Sequence, residues 1–148
     1  RPVRPMIRTL SPSDLPRIME IERVSFPTPW SEMFFQQEFN NPLGFSYGYD
    51  EADKLVGYIF AWLIFEDAHI NSIAVDPSTR RRGIATHLLD AVFTEALARG
   101  GHFVSLEVRV NNAPARRFYT KHGFQQVAVR AGYYADTGED ALVLARDL

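Results

Sequence analysis

Three places in the 148-residue chain hold residue types whose spacing could do chemistry. The first is Arg80-Arg81-Arg82-Gly83-Ile84-Ala85-Thr86, which follows the apolar run Ile73-Ala74-Val75 and opens a long helical pattern. The first amides of a helix have no internal partners and carry the positive end of its dipole, so a turn whose backbone can wrap an anion becomes a phosphate site. Gly83 and Ala85 leave that approach clear. Arginines at a helix start oppose the dipole, so a bound anion explains them better than local stability does. A diphosphate would suit the turn, although spacing alone leaves open a solvated charge run ahead of an ordinary glycine. The segment has neither the Gly-Lys-Ser/Thr of a nucleotide-binding loop nor the three glycines of a dinucleotide fingerprint.

The second place is the strand pattern Phe103 to Val110. Alternation puts Val104, Leu106, Val108 and Val110 on one face and Phe103, Ser105, Glu107 and Arg109 on the other. Glu107 is thus a carboxylate among apolar strand neighbours, and desolvation is expected to raise its pKa. The alternative is a structural pair with Arg109 on the same face. The third is Tyr119, on a short helical pattern after Asn112, either a proton donor or a core aromatic. Asn112 can cap that helix. His69, His87, His102 and His122 show no metal-ligand spacing and read as surface or boundary residues, so no metal is expected. Ser72, His69 and Asp67 are hydrolase residue types, but no Gly-x-Ser-x-Gly elbow accompanies them, and a serine hydrolase is discounted.

The elements that must position these residues are short and punctuated by Gly and Pro. Met6 to Leu10 reads as a strand, and Ser11 or Ser13 can cap a helix to about Ser25 with Leu15, Ile18 and Ile21 on one face. Phe26-Pro27-Thr28-Pro29-Trp30-Ser31 breaks it, and Ser31 caps a second helix to Phe39. Phe45 to Asp50, Lys54 to Phe65 and His69 to Val75 are strand-like runs whose short connections make neighbours antiparallel. Ile84, Leu88, Val92 and Ala96 beside Ala85, Leu89, Phe93 and Leu97 form a helical stripe stopped by Gly100-Gly101. After the Phe103 strand and a helix to about His122, Phe124 to Ala131 and Ala141 to Arg146 close the chain as strands. The order predicts a mixed α/β fold: an antiparallel meander, then a β-α-β crossover.

Composition narrows the function. Lys plus Arg total 16 against 18 acidic residues, a formal charge of −2, so no positive field favours nucleic acid. Cys is absent, which removes disulfides and a thiolate nucleophile. Hydrophobic residues at 46% predict a folded core, and the length predicts one domain over residues 1–148. The longest apolar run, Leu55 to Phe65, is far below the roughly 20 residues of a membrane-spanning helix, so no membrane partner is expected. The basic opening Arg1 to Pro5 has no apolar segment behind it and does not read as a signal peptide, so a cytoplasmic location is expected.

Arg80-x-x-Gly83-x-Ala85 between a strand and a helix resembles the pyrophosphate-binding signature of the GNAT superfamily of N-acetyltransferases. The order of Phe26-Pro27, Pro29-Trp30-Ser31, Asn71 to Pro77, Leu106-Glu107-Val108-Arg109, Asn112, Phe118-Tyr119, Gly123-Phe124, Tyr133-Tyr134 and Glu139-Asp140-Ala141 is similar to the RimI group of ribosomal-protein alanine N-acetyltransferases. The resemblance implies a central mixed, mostly antiparallel twisted sheet flanked by helices on both faces. It implies acetyl-CoA as co-substrate, its diphosphate on the amides of Arg82 to Ala85 with Arg80, Arg81 and Thr86 beside them. Its pantetheine arm would run along Ile73, Ala74 and Val75 and meet Asn112, and an amide near Val75 would hold the oxyanion. Glu107 takes the role of base and Tyr119 that of acid. Phe26, Pro29 and Trp30 in one loop and Tyr133 and Tyr134 in another border the acceptor, with Glu139 and Asp140 near a basic N-terminus. The implied acceptor is the N-terminal alanine of a small-subunit ribosomal protein, acetylated by direct transfer in a ternary complex by a monomer or weak dimer. Thr28-Pro29 lengthens the first loop relative to a Phe-Pro-Trp form, which leaves open a lysine or small-molecule amine as acceptor. A noncatalytic acyl-CoA sensor is the other alternative.

Overall fold

The computed structural model describes residues 6–80 and 83–148. The chain runs β1 (Met6–Thr9), α1 (Leu15–Ser25), α2 (Glu32–Asn40), β2 (Gly44–Glu51), β3 (Lys54–Ile64), β4 (Asp67–Val75), α3 (Ile84–Ala98), β5 (Phe103–Arg109), α4 (Ala113–Lys121), β6 (Gln125–Arg130) and β7 (Ala141–Asp147). Short 3₁₀ turns at Pro12–Asp14 and Pro77–Thr79 lead out of β1 and β4. The first of them runs straight into α1 and is capped by Ser11, whose N–H donates to Asp14 Oδ2 at 2.9 Å, so α1 itself starts only at Leu15, with Pro16 in its first turn. Ser31 does cap α2, its hydroxyl accepting from the Phe34 N–H at 3.2 Å. The β2–β3 connection is a two-residue turn with positive φ at Ala52 and Asp53, the arrangement whose twist matches an antiparallel pair.

Seven strands form one sheet in the order β1-β2-β3-β4-β5-β7-β6. Every pairing is antiparallel except β4 with β5, joined through the α3 crossover. The last strand, β7, lies between β5 and β6, an insertion that local patterning could not reveal. Helices cover both faces. Ile18, Ile21 and Phe35 from α1 and α2 pack on Tyr58 and Phe60, while Leu88, Leu89 and Val92 of α3 and Tyr119 of α4 pack with Ile59, Val104 and Leu106. The apolar run from Leu55 is therefore a central strand buried on both faces, which is why it shows no alternation. Among the described residues, no helix is long and apolar enough to cross a membrane.

Gly57 in β3 sets the distance to α3. A Cβ there would lie 3.1 Å from Ile84 Cγ2 and 3.2 Å from Leu88 Cδ1, both in the first turns of α3. Gly57 also stands opposite Val75 in the β3–β4 register, so it seats the helix start beside the end of β4. Overpacking a filled core costs about 1–3 kcal/mol. Gly57→Val is expected to lower the unfolding free energy by that amount, read as a lower urea midpoint with an unchanged slope, and an unaltered midpoint would show that α3 does not rest on this residue.

Candidate active site

The site begins where β4 and β5 part. Their parallel pairing is limited to Asp67↔Phe103, Ala68↔Val104 and His69↔Ser105, after which each strand continues only with its outer neighbour. β4 carries a bulge there: Phe60 pairs with Ser72 and Ala61 with Ile70, so Asn71 is the extra residue. Beyond the bulge the Asp76 N–H donates to the Val56 carbonyl at 2.7 Å. That bond flanks the Gly57↔Val75 pair and makes it a non-hydrogen-bonded one, so the Val75 N–H and C=O point away from β3 into the gap. By alternation Ile73 points the same way. Arg80 Nε donates to the Val75 carbonyl at 3.2 Å, and the Val75 amide is left facing the opening.

The turn after β4 is braced from both sides. Asp76 accepts from the Ser78 N–H at 3.0 Å and from Arg17 Nη2 at 2.5 Å, and Arg17 Nε donates to the Leu55 carbonyl. Gly83 caps α3 with φ +74°, and a Cβ there would meet nothing within 4 Å. Glycine is required by the left-handed backbone rather than by lack of space, and the surface over the first α3 amides stays open. The Ile84 side chain is buried in the core, so only its amide can meet a ligand. The Thr86 hydroxyl bonds His122 Nε2 at 2.9 Å, tying α3 to the end of α4. Arg81 and Arg82, expected at this turn, lie outside the described residues. Asn112 caps α4 through the Ala115 N–H at 3.2 Å.

Glu107 departs from expectation in two respects. Its partner is not Arg109 but His69, whose Nε2 lies 2.7 Å from Oε2, while Oε1 lies 3.8 Å from Arg130 Nη1. Nor is its pKa raised. Burial does push the carboxyl up, but the hydrogen bond and charge of His69, aided by Arg130, outweigh it and hold Glu107 below the usual glutamate value. Arg109 is engaged elsewhere, bidentate on Asp136 at 3.0 and 2.9 Å and 4.0 Å over the Tyr134 ring. With Trp62, Asn71, Arg130 and Tyr133, His69 and Glu107 line an open groove of about 860 Å³.

Tyr119 is buried among Phe118 and Phe124, with ring centroids 5.3 and 5.5 Å away. Burial and the neighbouring Tyr134 push its phenol up, so it keeps its proton at neutral pH and can serve as an acid rather than as a base. Tyr134 is likewise pushed up to about 12, mainly by burial.

The two loops expected to border an acceptor meet. Thr28 Oγ1 donates to Asp136 Oδ2 at 2.7 Å, so the residue that lengthens the first loop bridges to the second. Trp30 is half exposed and stacks on Phe34 at 4.3 Å, with its N–H on Glu22 Oε2 at 2.9 Å. Phe26 packs against the α1–α2 core, and Tyr133 is exposed with Arg130 over its ring. Glu139 and Asp140, expected to attract a basic N-terminus, are occupied internally by Arg109 at 3.4 Å and the Gly132 N–H at 2.8 Å.

The model of the acetyltransferase (GNAT) family matches residues 15–124. The chain is 34% identical over 142 residues to a ribosomal protein bS18-alanine N-acetyltransferase of Salmonella typhimurium, covering 94% of this chain and 95% of that protein. The crystal structure of the Escherichia coli ribosomal-protein-S18-alanine N-acetyltransferase superposes with a TM-score of 0.90 at 30% identity, covering 97% of this chain and 94% of the other. Arabidopsis thaliana NAA60 in complex with acetyl-CoA shares the fold at a TM-score of 0.86 and 24% identity, over 98% and 99% of the two chains.

The sequence reading missed His69. Its signal was its place in β4, but only the β4–β5 register brings it beside Glu107. In a carbon-detected NMR titration the Glu107 carboxyl is expected to lose its proton below the ordinary glutamate value of about 4.3. His69→Ala is expected to move it upward, because burial would then be opposed by Arg130 with little else. An unmoved titration would remove His69 as the group that holds it down.

Proposed function

The chain belongs to the acetyltransferase (GNAT) family and is an N-acetyltransferase, and from that premise we propose that it uses acetyl-CoA to acetylate the α-amino group of a protein N-terminus, the terminal alanine of a ribosomal protein being the acceptor class. The observation that carries this reading is the parted β4–β5 pair, with the Val75 N–H directed into the gap and Glu107 of β5 paired with His69 of β4. The kinship to ribosomal-protein alanine acetyltransferases over nearly the whole chain supports the acceptor class. The whole of residues 1–148 is read as one acetyltransferase domain.

The residues present fit the co-substrate. An extended acyl-pantetheine chain presents amides that can pair with the free edge at Ile73 to Val75, and a diphosphate can take the open amides of Gly83, Ile84 and Ala85. Arg80 to Arg82, Thr86 and Asn112 complete the proposed binding set. Acetyl-CoA supplies a thioester whose acetyl carbon is the electrophile.

Direct transfer requires the acceptor to arrive as an amine, since an α-ammonium has no lone pair and its pKa of about 7.7–8.0 leaves it mostly protonated at neutral pH. Glu107, which lines the groove, takes that proton, directly or through one water. The amine nitrogen bonds the acetyl carbon, and the Val75 N–H donates to the oxyanion that forms. As the carbon–sulfur bond breaks, Tyr119 would give its proton to the departing thiolate, and the second proton that the attacking nitrogen loses in becoming an amide would return through water to the Tyr119 oxygen. Phe26, Pro29 and Trp30 on one side and Tyr133 and Tyr134 on the other flank the acceptor, held together by Thr28 and Asp136.

Mass spectrometry after incubation with acetyl-CoA tests the reading on a free Ala-Arg N-terminal peptide, its N-blocked form and a lysine peptide. Acetylation confined to the free α-amine is expected, whereas lysine modification would redirect the assignment to side chains. Glu107→Gln and Tyr119→Phe are each expected to lower kcat/KM about 100-fold or more while acetyl-CoA binding by calorimetry stays intact. Parent rates in both would overturn the two roles.

A further inference from the structure

Behind Glu107 lies a chain of polar groups that the reaction as described does not use. His69 and Ser105 are register partners at the last paired step of β4 and β5, and His69 Nδ1 lies 2.8 Å from Ser105 Oγ. Ser105 Oγ in turn lies 2.8 and 2.9 Å from the two oxygens of Asp67. A carboxylate accepts only, so the single hydroxyl hydrogen of Ser105 goes to Asp67 and its lone pair faces His69. Nδ1 must therefore donate, which assigns the proton-bearing nitrogen from the network. In the neutral ring Nε2 then carries a lone pair, and it lies 2.7 Å from the oxygen lone pairs of Glu107.

We infer that Asp67 and Ser105 are positioning residues that lock His69 with its proton on Nδ1, so that His69 and Glu107 together form one basic site whose added proton rests between Nε2 and Oε2. This rests on the assignment of Glu107 as base. With the ring so fixed, the pair without an extra proton sets two lone pairs against each other, and one proton relieves that repulsion. A ring free to turn its other tautomer would instead donate from Nε2 to the carboxylate, and the repulsion would not arise. In the reaction the nitrogen–hydrogen bond of the acceptor ammonium breaks, Glu107 receives the proton, and the shared position on Oε2 and Nε2 holds it. That proton returns to solvent after product leaves, so no other reactant is needed. The charged and titratable groups around the pair are Glu38 from α2, Asp67 on β4, Arg130 from β6 and Tyr134 from the β6–β7 loop. Of these, the network ties only Asp67 to Nδ1 of the ring, through Ser105.

Ser105→Ala removes the acceptor at Nδ1 and frees the neutral ring to donate from Nε2 to Glu107. Nitrogen-15 NMR of the protein alone, without substrates, is expected to show His69 with Nδ1–H in the wild type. Ser105→Ala is expected to show Nε2–H, and Ser105→Thr, which keeps a hydroxyl, to restore Nδ1–H. An Nε2–H ring in the wild type, or no change in Ser105→Ala, would overturn the inference whatever the acceptor proves to be. With an acceptor peptide that the mass spectrometry identifies, the acid limb of kcat/KM against pH is expected to move to lower pH in Ser105→Ala, with about a tenfold lower plateau and recovery in Ser105→Thr. A loss of activity with the acid limb unmoved would mean that Ser105 acts through packing alone and would likewise refute the assignment.

Discussion

The structure depends on two neighbouring parallel strands that stay together for three residue pairs and then separate. Each is held by its outer partner, β4 by β3 up to Val75 and β5 by β7 along its whole length, so neither can bend back to close the gap. The bulge at Asn71 supplies the divergence, because an extra residue bends the strand that carries it. The result is a sheet with backbone donors and acceptors left open in its middle, a position where they are normally consumed by pairing. An extended ligand can complete the ladder there, and a side chain from each strand can reach the same point in space.

The bulge also decides which side chains meet. Uninterrupted alternation would put His69, Asn71, Ile73 and Val75 on one face. The extra residue shifts the phase, so that Ala74 packs with the α1–α2 core and Val75 with the α3 core, while His69 remains on the side of Glu107. One irregular residue thus separates the open backbone edge from the face that carries His69 within a single nine-residue strand. The same irregularity limited what the sequence could reveal. The helical stripe of α3, the alternation of β5 and the glycine turn were legible, since each depends on spacing within one element. The environment of Glu107 was not, because it depends on the register of strands separated by a helix. Burial alone argued for a raised pKa, and a partner 38 residues away reverses the sign.

The acidic residues of the β6–β7 loop were misleading for a similar reason. Glu139 and Asp140 stand beside the aromatic pair in sequence, but one faces Arg109 and the other caps a backbone N–H. Arg109 organises this loop instead of pairing with Glu107: Asp136 and Glu139 sit on its guanidinium and the Tyr134 ring lies beneath it. Asp136 is held down at about 2, chiefly by its hydrogen bond to Arg109, so it is charged throughout the neutral range and remains a constant acceptor for Thr28. The loop that carries Thr28 and the β6–β7 loop are thereby joined by side chains rather than by a strand pair.

The loop that carries Thr28 has a further anchor that explains a buried acid. Its two prolines cannot donate backbone hydrogen bonds, so the segment cannot join a helix or a ladder. It hangs instead from Glu22, a fully buried carboxyl that accepts from the Trp30 N–H and from the Tyr58 hydroxyl. Burial pushes Glu22 up while these two donors pull it back, so the group is tolerable in the core only while both remain in place. Tyr58 belongs to the central strand and is itself completely enclosed. The position of the Trp30 backbone is therefore tied to β3 through two polar contacts. One buried carboxyl thus joins the proline-containing loop to the sheet whose parted strands open the gap.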